Sequence, residues 1–240
     1  MNIEAIAVVI PAHNEEALLL AALDAVAIAV RHPNLAAVRT TTVVVADSCH
    51  DRTAAIARRA GAVVVTAHCR NPGRARAVGT EYAWRELGSP AGTTWIAATD
   101  ADSVVPPHWL AYHQARAREG WQAVVGTVVL PTADILATRH QLRYEATRPP
   151  RGGPWHHPHV HGANLGVSAE AYRDVGGFPP LDVGEDRALV AALSGRGHRI
   201  LRTPDCPVLT SPRLRARARG GFADDLAALL KQTDGQEAAS

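Results

Sequence analysis

Apolar residues along this chain fall into short blocks, separated by polar, glycine-bearing or proline-bearing breaks. "IEAIAVVI" (3–10), "TTVVVA" (41–46), "AVVVTA" (62–67), "TTWIAAT" (93–99) and "AVVGTVVL" (123–130) are continuous apolar runs of strand length. Between the first four lie segments of helical character: Asn14 to about Val30, then 51–60 stopped by Gly61, then 73–87 ended by Gly88. Asn14 reads as an N-cap, with Glu15 and Glu16 in the first turn, where the helix dipole favours carboxylates. Continuous runs, as opposed to alternating ones, mark strands buried on both faces. The pattern therefore predicts an α/β fold: a mostly parallel sheet with helices on both faces.

The second half is less regular. Pro106 and Pro107 turn the chain into a further helix, and "RPPRGGPWHHPHVHG" (148–162) reads as a long loop. A strand is expected over 162–168, and a short helix and turn over 169–178. Over 184–200 we expect a helix that ends at Gly195 or Gly197, followed by a strand. Residues 210–221 are basic, with Arg213, Arg215, Arg217 and Arg219, and an amphipathic helix is expected over 222–231 before a frayed tail. No internal repeat and no second domain boundary is visible, so the 240 residues read as one domain.

Composition narrows this picture. Hydrophobic residues make up 47% and charged residues 20%, as in a globular chain. A formal net charge of +2 argues against a nucleic-acid binder, while leaving room for a local basic pocket. Cys49, Cys69 and Cys206 form no CxxC pair, which points away from a disulfide framework and towards a reducing cytoplasm. The N-terminus carries Glu4 where a signal peptide would be basic, and "ALLLAALDAVAIAV" is interrupted by Asp24 and too short for a bilayer. We expect no transmembrane segment.

In parallel sheets, ligands bind beyond the carboxyl ends of the strands. The residues to inspect are therefore PAHNEE after the first run, DSCHDRT after the second and DAD after the fourth. Asp100 and Asp102, two residues apart at a strand end, repel each other unless a cation lies near them. Mg²⁺ or Mn²⁺ suits such a place, since these ions take carboxylate and phosphate oxygens. The alternative is a turn in which one aspartate caps the next helix. Asp47 can accept from the N–H of a nucleobase, or else make an Asx-turn or N-cap for the helix at 51–60. Three strand ends with polar groups on one sheet edge suit a nucleotide.

"VVIPAHNEE", "VVVADSCHDRT", "NPGRARAVG", "TDAD" and "GED", in this order and spacing, resemble family 2 glycosyltransferases of the small soluble bacterial type. The resemblance spans about residues 5–215. It implies an inverting enzyme of the GT-A fold, with a Rossmann-like sheet and a smaller mixed acceptor-side portion. The nucleotide-binding half would be about 1–105 and the acceptor-side half about 106–221. The donor would be a nucleotide-diphosphate sugar, with Mn²⁺ or Mg²⁺, and the acceptor a small molecule or a lipid-linked hydroxyl. Pro11, Ala12, Asn14 and Glu15 look like the first nucleotide-contacting loop, Asp47 like the base reader, and Arg74 like a basic residue near the nucleotide. Asp100, Ala101 and Asp102 look like the DxD motif, with Asp102 the more direct metal ligand and Asp100 nearer the ribose. Asp186 looks like the catalytic base, with Glu185 beside it. "GAN" suggests sugar or acceptor contacts at His161, Gly162, Ala163 and Asn164. Trp155 could stack on a sugar or serve the core.

Arg213, in "TSPR", could neutralise a diphosphate or simply belong to a solvated basic loop. The family's processive, membrane-bound synthases carry a Gln-x-x-Arg-Trp motif that is not found here, so the resemblance implies transfer of a single sugar. The cluster His156, His157, His159 and His161 raises a metallohydrolase as a competing function, although a zinc site would need cysteine or a second spaced cluster. A non-catalytic nucleotide-sugar binder is the other competitor. Two further expectations follow: residues 150–160 close over the acceptor as a lid, and both DAD carboxylates are open to water in the free protein.

Overall fold

The computed structural model describes residues 1–131, 134–150, 153, 155–214 and 221–231. Its strands form one eight-stranded sheet in the order β3-β2-β1-β4-β7-β6-β8-β5. The four parallel strands β1 (Ala5–Ala12), β2 (Arg39–Asp47), β3 (Val63–Ala67) and β4 (Thr94–Ala98) coincide with the first four apolar runs. They alternate with helices α1 (Leu19–Val30), α2 (Thr53–Arg59) and α3 (Pro72–Leu87), the last closed by Gly88 in the left-handed region. Because β1, β2 and β4 run the same way, the three polar strand ends share one edge.

Alternation along β1 decides how the two faces pack. Ile6, Val8 and Ile10 face a core shared with Leu19, Leu23 and Val26 of α1. Ala5, Ala7 and Val9 face Ala75 and Ala83 of α3. Small residues on both sides bring α3 close to the sheet. A β-carbon at Gly79, one turn from Ala75 and from Ala83, would lie 2.7 Å from methyls of both Val9 and Val45.

After β4 come β5 (Ser103–Val104), α4 (Trp109–Arg118), β6 (Ala123–Val129), α5 (Ile135–Glu145), β7 (Leu165–Ser168), α6 (Ala169–Asp174), α7 (Glu185–Gly195), β8 (Ile200–Thr210) and α8 (Phe222–Lys231). β7 is antiparallel to β4 and β6, β6 is parallel to β8, and β5 is antiparallel to β8. The sheet is thus parallel on one side and mixed on the other.

Two local expectations are corrected, and one helix was not anticipated. The first helix begins at Leu19, and Asn14 does not cap it. Asn14 instead takes a positive φ of 53°, and its Oδ1 accepts the His50 N–H at 2.8 Å, tying the ends of β1 and β2 together. Residues 162–164 form a 3₁₀ turn, so the strand expected over 162–168 begins only at Leu165. Helix α5 had no counterpart in the apolar pattern, because its buried positions are Leu136, His140 and Tyr144, two of them polar-tipped. The expected tail, and Arg215, Arg217 and Arg219, lie outside the described residues. No helix among the described residues is long and apolar enough to cross a membrane.

Gly79→Ala should lower stability despite its gain in helix propensity. Overpacking typically costs about 1–3 kcal/mol, against about 1 kcal/mol recovered from replacing a helical glycine. Urea denaturation checks this, and an unchanged or higher midpoint would contradict the close approach of α3.

Candidate active site

The end of β4 places Asp100 and Asp102 at the carboxyl edge, and β5 follows at once. Because β5 pairs with the end of β8, with Ser103 Oγ 2.9 Å from Thr210 Oγ1, the residues after β8 are delivered beside Asp102. Arg213 uses this proximity. Its guanidinium bridges Asp102 Oδ2 at 2.8 Å and Glu15 Oε1 at 2.6 Å. The expectation that both carboxylates are open to water is therefore corrected. The Asp102 side chain is 7% exposed and the Asp100 side chain 35%, each held by an arginine. Burial, and then the charge of Asp100, push Asp102 up to about 6, although Arg213 opposes the shift.

The second arginine is Arg76. It is buried in α3 and donates through Nη1 to Glu185 and through Nη2 to Asp100. Burial works against its charge, but Asp100 and Glu185 outweigh burial and hold it protonated. Burial, only partly offset by Arg76, raises Glu185 above the usual carboxylate range. Asp186, the next residue on α7, accepts the Gly162 N–H at Oδ2 (2.7 Å) and its neighbour's N–H at Oδ1. Sequence reasoning picked Arg74 as the basic residue here. Arg74 is exposed and does not line the cavity, because two residues along the helix turn the side chain to its other face. The signal available in "NPGRARAVG" was the second arginine, set among small residues that bring the helix close to the sheet.

At the end of β2, Asp47 is buried. It accepts the backbone N–H groups of Cys69, Arg70 and Asn71 at 2.7–3.2 Å, and the Ser48 hydroxyl at 3.1 Å. It thus shapes the 68–71 loop, which Asn71 then caps onto α3. It does not cap α2, whose start is organised by Asp51 and Thr53.

The histidine-rich segment packs into the protein. His157, His159 and His161 stack at 6.0 and 6.5 Å, and Tyr144 lies 4.2 Å from His159. Their nitrogens meet protein atoms: His157 the Thr203 and His159 carbonyls, His161 the Tyr144 hydroxyl. Burial lowers all three, His159 to about 4. Among the described residues no three His, Cys, Asp or Glu are arranged to hold a metal, so the competing zinc reading finds no ligand set among them. Of the expected lid, residues 151–152 and 154 lie outside the described residues, and 155–161 are tied to the body.

Two expected sugar contacts face inward. The Asn164 carboxamide sits over Gly126 and bonds the Thr127 and Cys206 carbonyls and the Trp109 Nε1, filling an irregularity between β6 and β8. The Trp155 Nε1 donates to Thr147 O at 3.1 Å, and the ring is buried away from the cavity.

These elements enclose a cavity of about 990 Å³, ample for a nucleotide sugar. Pro11, Ala12, Glu15, Asp47, Asp100, Ala101 and Asp102 line it. His161, Gly162, Ala163, Glu185, Asp186 and Arg213 also line it, joined by Arg70, Arg143 and Arg187, which sequence reasoning did not single out. Asn14 does not. The donor set fits a divalent cation of the Mg²⁺ or Mn²⁺ type: hard carboxylate oxygens at Asp100 and Asp102, in a network where acids outnumber arginines. With two protein carboxylates, the remaining positions would fall to phosphate and water oxygens.

The model of the family "Glycosyl transferase family 2" matches residues 7–176. Comparison with curated proteins finds no match. Among solved structures, the chain is similar to the mannosyltransferase PcManGT from Pyrobaculum calidifontis in complex with GDP-Man and Mn²⁺, with TM-score 0.63 and 22% identity over 88% of this chain and 58% of that one. It is similar to S. aureus TarS 1-349 in complex with UDP-GlcNAc, with TM-score 0.64 and 15% identity over 97% and 65%. It is also similar to glucosyl-3-phosphoglycerate synthase from Mycobacterium tuberculosis in complex with Mn²⁺, uridine diphosphate and glucosyl-3-phosphoglycerate, with TM-score 0.55 and 22% identity over 95% and 77%. The chain thus spans less than two thirds of the first two. At these identities the likeness is one of fold, and that fold is GT-A.

The buried Asp102 makes metal-free stability pH-dependent. Its folded-state value of about 6 lies above the ordinary 3.8, so its contribution is present below the ordinary value and lost as pH rises through about 6. In metal-free buffer, wild type should therefore lose stability relative to Asp102→Asn between about pH 4 and pH 7. Urea titrations at several pH values measure this, and the opposite slope would contradict the burial of Asp102.

Proposed function

The chain belongs to glycosyl transferase family 2, and on that premise we propose that it moves one sugar from a nucleoside-diphosphate sugar to a hydroxyl acceptor with inversion. The observation that carries this reading is one cavity bounded by Asp47 at one strand end, Asp100 and Asp102 at another, and Asp186 at the start of α7. The solved relatives that hold GDP-Man, UDP-GlcNAc, or uridine diphosphate with Mn²⁺ support a donor of this class.

In this reading Asp47 and the loop it shapes receive the base, with Pro11 and Ala12 beside it. Asp100 and Asp102 are the residues that would hold Mn²⁺ or Mg²⁺, whose charge would offset that of a departing diphosphate. Arg213 is a guanidinium already within reach of Asp102. It leaves that carboxylate for the phosphate oxygens, which it can grip with two parallel N–H donors. Asp186 takes the proton of the acceptor hydroxyl as that oxygen attacks the anomeric carbon. It comes from α7 and not from β4, so base and leaving group can stand on opposite faces of the sugar, as inversion requires. The Gly162 N–H on its Oδ2 fixes the carboxylate's orientation. The acceptor, a small molecule or a lipid-linked hydroxyl, enters past His161, Gly162 and Ala163. Three free cysteines favour a reducing, cytoplasmic setting.

Two variants separate the roles. Asp102→Ala should lose the Mn²⁺-dependent part of UDP or GDP affinity in calorimetry. Asp186→Asn should bind normally but turn over about a hundredfold more slowly or worse. If no common nucleoside diphosphate binds wild type with Mn²⁺ present, the reading fails. Arg213→Ala should weaken diphosphate binding about tenfold or more, the worth of a lost charged hydrogen bond, and leave nucleoside affinity unchanged. Equal losses for both ligands would rule out a diphosphate contact.

A further inference from the structure

Asp186 and Asp100 belong to separate parts of the chain, yet one side chain reaches both neighbourhoods. The Arg76 guanidinium, 5% exposed, contacts Asp100 through Nη2 and Glu185, adjacent to Asp186, through Nη1. Gly162 lies flat against it: a β-carbon there would sit 2.5 Å from Nη2 and 2.7 Å from Cζ. That same glycine donates its N–H to Asp186. The start of α3 is pressed against the segment leading into α7, since a β-carbon at Gly73 would come 2.2 Å from the Pro179 carbonyl and 2.9 Å from Glu185 Cβ. Asn71 adds a bond from Nδ2 to Asp182 Oδ1 at 2.7 Å.

Resting on the transferase reading, we propose that Arg76 is the positioning residue that sets the base carboxylate of Asp186 against the donor-side carboxylate Asp100. The planar fork fixes Glu185 relative to Asp100. Because Asp186 is the next residue, and its oxygen is held by a glycine packed on the same guanidinium, a shift of the fork moves the base. A lysine has the same charge but no fork, and it can follow only one of the two carboxylates at a time. Mere neutralisation of buried acids would survive that exchange; alignment would not.

The test uses Arg76→Lys, and the double variant R76Q/E185Q, which removes the tie and leaves the part-exposed Asp100 as the one carboxylate that loses its arginine. Magnesium-dependent affinity for UDP and GDP is measured by calorimetry, and nucleoside-diphosphate release from the nucleotide sugar that wild type turns over gives kcat and KM. Arg76→Lys should keep nucleotide affinity within about threefold and lose about thirtyfold or more in kcat, as expected when a reacting group is displaced by a fraction of an ångström. The double variant should fold and show the same kcat loss. Wild-type kcat in either variant overturns the proposal. So does a nucleotide affinity that falls in step with kcat, which would make Arg76 a donor-binding group. A wild type that binds nucleoside diphosphate with Mg²⁺ and releases none from any nucleotide sugar overturns the transferase reading, and this proposal with it.

Discussion

Four carboxylates meet where β4 ends, and their mutual repulsion has to be balanced within a largely buried space. Glu15, Asp100, Asp102 and Glu185 are linked through two guanidiniums, those of Arg76 and Arg213. Removing one partner of a buried pair typically costs about 3–5 kcal/mol, because the other is left uncompensated. The network therefore ties the segments that follow β1, β4 and β8 to α3 and α7. Within this network of described residues, four carboxylates stand against two guanidiniums.

The two arginines reach the network by different routes. Arg76 arrives because α3 lies close to the sheet, with Ala75, Gly79 and Ala83 against Val9, Val43 and Val45. A bulkier seam would lift the helix and withdraw the guanidinium. Arg213 arrives through strand pairing: the two residues of β5 follow the DAD turn directly and bond to the end of β8. One contact is set by the thickness of a helix–sheet layer, the other by register.

On the opposite side of the cavity the wall is made of stacked rings. Histidine is the commonest metal ligand and a frequent switch, so a cluster of four invites a zinc reading. Here burial disfavours the charged ring, and neighbouring carbonyls and the Tyr144 hydroxyl occupy the nitrogens of His157 and His161. The rings of His157, His159 and His161 act as flat packing units beside Tyr144 and Phe222. Asn164 similarly acts as a bracket between β6 and β8.

The chain's own pattern was enough to determine the α/β class, the first four strands, the helices between them, α7 and α8, and the edge of the sheet where polar residues collect. These follow from local physics: continuous apolar runs, glycine stops, and the rule that parallel strands present their ends together. The motif order also resembled the family that the later match bears out. Helix α5 escaped because a helix that buries histidine and tyrosine has no aliphatic stripe. Which arginine turns inward, whether Asp102 meets water, and whether Asn164 and Trp155 face the cavity were settled only by tertiary structure. Those outcomes depend on helix–sheet distance, on the β5–β8 register and on a bulge between β6 and β8. Each is a long-range contact, and apart from the small residues around Arg76 the residue order carries no local signal for it.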